Sequence, residues 1–145
     1  MAGIDSQILD AFEARLKALP WVKKVSSDEI ILGFSEAEQH EVPLIQIYGL
    51  GQRIAMEKGR LKVSWTLMVE LVLRSSSQNA VNMRTLLDYR QDIEQIIGSN
   101  ANLGVPSVIH VSYNGNTDDI RLAAPYYVTE LEFEVIYYKP YTGHC

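Results

Sequence analysis

Two stretches of the chain repeat apolar residues every three or four positions, the spacing of an amphipathic helix. The first begins after Asp5 or Ser6, either of which can cap a helix, and ends before Pro20, which cannot continue one. The second covers about residues 78–97 and is followed by Gly98, a residue favoured just past a helix C-terminus. Each stretch is therefore predicted to be a helix with one apolar face.

Two other stretches, residues 61–74 and 126–138, alternate between apolar and mostly polar positions. That period of two predicts long strands with one buried face. Shorter strands are predicted at residues 21–25, 29–33, 43–48, 107–113 and 118–122, with Asn114-Gly115 as a tight turn between the last two. Pro43 indicates an edge position or a strand entry, because proline cannot donate a hydrogen bond to the sheet.

This order of elements predicts an α+β fold with a mainly antiparallel sheet, two long strands, and two helices packed on one face. The chain has 145 residues, and residues 1–145 are expected to form one domain. Residues 49–60 contain three glycines and no sustained period, so a mobile loop is predicted there.

The length of the two alternating stretches points to a neighbouring subunit. A strand covering residues 61–74 would span about 45 Å, whereas a domain of this size is about 38–40 Å across. Apolar strands that project from a domain must be covered by a bulge, a loop or another chain. Shortening by bulges in a monomer and coverage by a second copy both remain open at this point.

Composition excludes several classes of protein. The chain is 47% hydrophobic and 21% charged, as in ordinary soluble globular domains. A net charge of −5 argues against a dedicated binder of nucleic acid or anionic membranes. The single cysteine, Cys145, excludes an internal disulfide, and no secretory signal or apolar run of membrane-spanning length is present, so synthesis in the cytoplasm is expected.

No set of residues predicts catalysis, a cofactor or a metal. His40, His110 and His144 lack metal-ligand spacing, and Cys145 has no orienting base nearby except the adjacent histidine. Gly49-Leu50-Gly51 lacks the third glycine and the following helix of a phosphate-binding loop. If the chain were an enzyme, its titratable site would be sought at His110, Asp118 and Asp119.

Three carboxylates, Glu130, Glu132 and Glu134, share one face of the last long strand at about 7 Å spacing. Like charges so placed repel one another. They fit a Ca²⁺ site, a solvent-exposed face, or the wall of an acidic channel, and the sequence leaves these three readings open.

The order of the elements and their pattern of apolar and polar residues resemble the tail-terminator family of long-tailed bacteriophages (tail-completion, minor tail protein U-like). The segments that carry the resemblance are Leu19-Pro20-Trp21-Val22, the strand from Pro43 to Tyr48, the glycine-containing loop with Arg53 and Lys58, the strand at 63–73, the helix at 78–97 and the strand at 131–138. They span nearly the whole chain.

The resemblance implies a structural virion protein rather than an enzyme. Such a protein forms a ring, hexameric in that family, on the last ring of the tail tube, at the head-proximal end of the tail. There it stops polymerisation of the tube protein and presents a surface to head-completion or connector proteins, and DNA passes through it without specific binding.

In that family the loop that corresponds to residues 49–60 is mobile before assembly, so its interface residues would be Gly51, Arg53, Met56 and Lys58. An acidic lining would let DNA slide, and Glu130, Glu132 and Glu134 are the candidates here, followed by Glu36, Glu38 and Glu41. The alternative is a small-molecule-binding or regulatory α+β module with a ferredoxin-like fold and a concave apolar pocket.

Overall fold

The computed structural model describes residues 3–27, 43–74, 83–98, 103–123 and 126–140. Within these ranges the chain forms two helices and five strands. In chain order they are α1 (Ile4–Lys17), β1 (Lys24–Ser26), β2 (Leu44–Glu57), β3 (Arg60–Arg74), α2 (Met83–Gly98), β4 (Val108–Ala123) and β5 (Tyr126–Pro140). The predicted strand at 29–33 lies outside the described residues.

The strands form one sheet in the order β1-β2-β3-β5-β4. The α+β class is confirmed, but the sheet is mixed, because β1 runs parallel to β2 while the other pairs are antiparallel. The expectation of a mainly antiparallel sheet is therefore corrected. Residues 27–43 separate β1 from β2, and this exceeds the dozen or so residues that a parallel connection needs.

Buried side chains of both helices belong to the same hydrophobic core as alternate residues of β3 and β5. Phe12 of α1 meets Phe133 of β5 edge to face, with ring centroids 5.8 Å apart. Trp21, after α1, stacks on Tyr89 of α2 at 3.9 Å and donates a hydrogen bond to Asp92. Trp21 thus links the two helices, and the first strand starts at Lys24 rather than at Trp21 as predicted.

Helix α1 begins without a side-chain cap. Gly3 occupies the N-cap position, so neither Asp5 nor Ser6 caps the helix as the sequence predicts. Asp5 lies in the first turn, where a carboxylate favours the positive end of the helix dipole. Its oxygens accept hydrogen bonds from Tyr137 and Lys139 of β5 instead. A tertiary contact therefore holds the start of this helix.

Residues 49–57 form the second half of β2, not the predicted irregular loop. The ladder with β3 continues from Leu44↔Val72 to Glu57↔Arg60, with one irregularity between Gly49 and Gly51. Lys58 and Gly59 both have positive φ, 51° and 78°, and close a two-residue hairpin whose twist matches the strands. The glycines thus accommodate a bulge and a turn within continuous pairing.

Asn114-Gly115 does not form the predicted turn. Strand β4 passes through it, and the positive φ of Gly115, 121°, coincides with a shift in the ladder between Tyr113 and Gly115. The two short strands predicted at 107–113 and 118–122 are thus parts of one strand. Pairing with β5 along its length overrides the local turn preference.

Strands β3 and β5 pair over their full length, from Arg60↔Pro140 to Arg74↔Tyr126, in continuous register. Fifteen residues in each strand extend about 50 Å if straight. The ladder irregularities fall in the pairs that involve β2 and β4. The two long strands predicted from alternation are therefore a central pair of the sheet, and their shared end carries the β2–β3 hairpin.

Candidate functional site

The end of the β2–β3 hairpin, residues 50–62, is exposed along β2, and we call it the hairpin arm. Leu50, Ile54 and Met56 have between 54% and 60% of their surface exposed. Ile54 pairs with Val63 and Met56 with Leu61, so both share a sheet face with fully buried Val63. The arm therefore continues the apolar face of the sheet to a place where Ile54 and Met56 are exposed to solvent.

The hairpin arm is also basic. It carries Arg53, Lys58, Arg60 and Lys62 against a single carboxylate, Glu57, in a chain whose net charge is −5. Arg60 lies over the ring of Tyr138 at 3.5 Å, and the Tyr138 hydroxyl donates to Glu57 at 3.0 Å. Cation–π contact and hydrogen bonding thus stiffen the end of the arm. An exposed, ordered, apolar and basic strand pair is suited to contact another macromolecule.

On the opposite face of the sheet the structure brings the two groups of predicted site residues together. Gly51 and Arg53 of the arm border a depression of about 480 Å³ together with Glu132 and Glu134 of β5. Glu134 accepts a hydrogen bond from Ser64 at 2.8 Å, and Glu132 accepts a long one from Asn114 at 3.4 Å. Side-chain donors in the sheet therefore orient this carboxylate pair.

Glu130 stands apart from that depression. It pairs across strands with Glu70, which is only 7% exposed, and the two carboxyl groups are hydrogen-bonded. Burial, reinforced by the charge of Glu130, raises the pKa of Glu70 to about 7, while a hydrogen bond from Gln46 at 3.0 Å opposes the rise. Burial and the same two carboxyl groups raise the pKa of Tyr48 to about 12. Glu70 therefore keeps its proton to a higher pH than an ordinary glutamate.

The base of the arm is tied to α1 by a network that sequence patterns did not reveal. Tyr137, fully buried, donates to Asp5 at 2.6 Å, and Gln52 of the arm donates to the Tyr137 hydroxyl at 3.0 Å. Burial raises the pKa of Asp5, but hydrogen bonds from Tyr137, Lys139 and Gln52 outweigh it and hold that pKa below its usual value. Burial and the bond to Asp5 raise the pKa of Tyr137.

The remaining predicted residues are spread over the molecule. Met56 and Lys58 lie farther out on the arm than the depression, Met56 on β2 and Lys58 in the turn. His110 is exposed on β4 opposite Ile136, and Asp118 and Asp119 follow on the same strand. The other candidates lie outside the described residues: Glu36, Glu38, His40, Glu41, His144 and Cys145.

Leu50 and Ile54 were missed as surface residues, although a signal for Ile54 existed. Residues 52–57 alternate as Gln, Arg, Ile, Ala, Met and Glu, which places Gln52, Ile54 and Met56 on one strand face. The three glycines around this segment favoured a loop, so this short alternation was not interpreted as a strand. Leu50, at the irregularity between Gly49 and Gly51, could not be assigned to a face from spacing.

Two further findings concern ligands and membranes. Among the described residues, no group of three or more His, Cys, Asp or Glu side chains is arranged to hold a metal ion. In the same part of the chain, neither helix has the length and hydropathy needed to span a bilayer.

A comparison with known proteins gives no match to a family model and none to a curated protein.

Proposed function

We propose that this chain is a structural virion protein, a tail terminator of a long-tailed bacteriophage that assembles as a ring on the end of the tail tube. In this proposal both helices pack on one face of the sheet, and the ring meets the tube protein on one side and a head-completion protein on the other. The observation that carries the proposal is the hairpin arm, which presents exposed Leu50, Ile54 and Met56 on ordered strands.

Exposure of the arm supports an assembly role on energetic grounds. Large apolar side chains on a projecting strand pair are exposed to water, and the free strand edge can pair with another chain. Such residues are therefore expected where a partner covers them. Because these three side chains are 54–60% exposed, covering each contributes about half of the ~1.5–3 kcal/mol of a full burial before association costs are subtracted. That gain suits a protein whose partners are repeated copies in a virion.

The carboxylates on one face of β5 are the observation that supports a role in the passage of DNA. Glu132 and Glu134 border one depression, with Glu130 one step further along β5. In a ring with this face towards the channel, Glu132 and Glu134 would repel the phosphate backbone and leave DNA free to slide, although Arg53 at the same depression offsets part of their charge. Net charge of the whole chain has the same sign.

The test is polymerisation of the cognate tube protein in the presence of this chain. We expect tubes to stop growing at a ring visible by electron microscopy. Met56→Asp should abolish capping, because it places a charge on the exposed apolar face of the arm. Thr85→Asp is the control, because it places the same charge at an exposed position of α2, and this variant should cap tubes normally. A strict monomer at high concentration that leaves tube growth unchanged would reject the proposal.

Arg53→Ala separates assembly from folding. Arg53 is exposed at the depression beside Glu132 and Glu134. Its replacement should change the free energy of unfolding by less than about 0.5 kcal/mol, as at other surface positions. Capping of tubes should nevertheless weaken, and a variant that caps as well as the native chain would remove Arg53 from the interface.

A further inference from the structure

A groove of about 520 Å³ lies between α2 and the edge of the sheet that β4 forms. Its described lining consists of Glu94, Gln95 and Gly98 from α2 and Val111, Tyr113 and Phe133 from the sheet. Val111 and Tyr113 are only partly buried and pack against the hydrophobic core, so the floor of the groove is apolar. We call it the α2–β4 groove.

Exposed large hydrophobic residues of the described chain lie on the hairpin arm, on α2 and on β4. Three of them lie on the hairpin arm. The other two are Leu87 of α2, 47% exposed, and Ile109 of β4, 44% exposed. Leu87 precedes Glu94 by seven residues, which is two helical turns along the same stripe of α2. Leu87 therefore extends the α2–β4 groove, whereas Ile109 lies at the register shift between Val108 and His110.

The arm and the groove lie at opposite edges of one sheet. The arm belongs to β2, and β1 pairs only with residues 44–46 of β2, so the arm extends past β1. The groove borders β4, the last strand at the other edge. With β3 and β5 between them, the arm of one copy cannot reach its own groove. Among the described residues, neither patch therefore covers the other.

Charge matches the two patches to each other. The arm has four basic residues and one carboxylate, and the turn at its tip carries Lys58. Glu94 is the charged residue among the described lining of the groove, and the other lining residues are neutral. An apolar, basic arm and an apolar groove with a carboxylate at its rim are complementary in both respects.

We infer that the hairpin arm of one copy of this chain docks in the α2–β4 groove of the next copy. This inference rests on the proposed function, since it assigns the contact between neighbours in the ring. The contact is head-to-tail, because the two surfaces differ, and such a contact gives a ring when its rotation closes. Ile54 and Met56 cover the apolar floor, and Lys58 approaches Glu94.

Cysteine trapping tests the contact directly. In a Cys145→Ser background, Ile54→Cys and Leu87→Cys are introduced in separate chains and oxidised with copper-phenanthroline. We expect several-fold more covalent dimer from the mixture than from either chain alone, since only the mixture brings the two thiols together. A chain that carries both substitutions should give a ladder that ends in a closed ring. Thr85→Cys replaces Leu87→Cys as the control and should give little dimer.

The outcomes separate the contact from the proposed function. Equal dimer yield from Ile54→Cys alone would indicate a two-fold contact and overturn the inference, as would a mixture no better than the single chains. Capping of tubes is measured in parallel on the native chain. Capping without arm–groove dimers rejects the contact and keeps the function, whereas such dimers without capping keep the contact and reject the function.

Charge exchange provides a second measure that does not depend on cysteine reactivity. Lys58→Glu and Glu94→Lys should each reduce self-association several-fold, measured by native mass spectrometry. A mixture of the two variants should recover association, because both arm–groove contacts between unlike variants join opposite charges. Failure of the mixture to exceed either variant alone would contradict the pairing of Lys58 with Glu94.

Discussion

Gly49 is a position at which β2 has no room for a side chain. A Cβ atom built there would lie 2.6 Å from Nε1 of Trp65 on the neighbouring strand. A Cβ atom built on Gly51, two residues further along, would have nothing within 4 Å, and Gly51 lacks a positive φ. Two glycines that look equivalent in the sequence are therefore under different constraints, and only Gly49 is required by packing.

Gly49→Ala should lower the free energy of unfolding by about 1–3 kcal/mol, because Trp65 must move out of a well-packed position. Gly51→Ala is the matched control and should change it by less than about 0.5 kcal/mol. Urea denaturation of both variants provides the comparison. Equal effects would contradict the close approach of Trp65 to β2.

Glu70 is the second residue with an individual role. It is buried beside Glu130 and has a pKa of about 7, against 4.5 for an unperturbed glutamate. Between those pH values the folded chain holds a proton that the unfolded chain has lost. Stability contributed by this group therefore falls as pH rises from about 4.5 to about 7 and is lost above that range.

Glu70→Gln should remove this pH dependence and raise the free energy of unfolding at pH above 7 by up to about 3 kcal/mol. Glu130→Gln should shift the fall to lower pH, because it removes the like charge that raises the pKa of Glu70. Chemical denaturation across this pH range measures both effects. If the free energy of unfolding varied with pH in the same way for the native chain and for Glu70→Gln, Glu70 would not titrate in this pH range.

Among the elements, α1 is held at both ends, by the sheet at its start and by α2 near its end. Phe12 packs on Phe133, Asp5 binds Tyr137 at the N-terminal end, and near its C-terminal end Arg15 donates to the Ile96 carbonyl of α2 at 3.2 Å. The periodicity of apolar residues was enough to predict this helix. It could not predict that a buried tyrosine hydroxyl would find its acceptor on the first turn, since Asp5 and Tyr137 are far apart in the chain.

Tyr137→Phe should cost about 1–2 kcal/mol, because it removes the hydrogen bonds to Asp5 and Gln52 and leaves the carboxylate less satisfied. Amide hydrogen exchange should also rise in the first turn of α1 and leave its middle unchanged. Tyr138→Phe is the neighbouring control; its hydroxyl binds Glu57 on the partly exposed face, so exchange in α1 should not change. Unchanged exchange in both variants would show that the network does not anchor the helix.

Strand predictions succeeded where the pattern was long and failed where glycine was frequent. Alternation along β3 and β5 was continuous, and these strands appear as predicted. Gly49, Gly59 and Gly115 suggested a loop or a turn, yet the chain remains paired at Gly49 and Gly115 and turns only at Lys58-Gly59. Hydrogen bonds to a neighbouring strand outweigh local turn preference, and the neighbour is not visible in a local window.

At the scale of the whole molecule, the hairpin arm and the α2–β4 groove lie at opposite edges of the sheet that the described residues form. This distribution is why we propose repeated copies in a ring rather than a two-fold dimer. It also predicts that thermal stability depends on protein concentration, because association stabilises only the folded chain.

The native chain should therefore show a Tm that rises with concentration, measured by calorimetry over a hundredfold dilution range. Ile54→Glu should show a Tm that does not change with concentration, because the charge prevents docking of the arm. Ala55→Glu, on the other face of the same strand, should retain the dependence of the native chain. A Tm independent of concentration in the native chain would contradict self-association over that range.

Sequence alone determined the α+β class, the two helices and the two long strands, because each depends on periodicity within one segment. It also placed Arg53 and Lys58 near Met56, and Glu130 with Glu132 and Glu134. Only the tertiary structure decided that residues 49–57 pair as a strand, that Arg53 borders the same depression as Glu132 and Glu134, and that the arm and groove occupy opposite edges. Those features depend on strand order and register, which are set by contacts between segments distant in the chain.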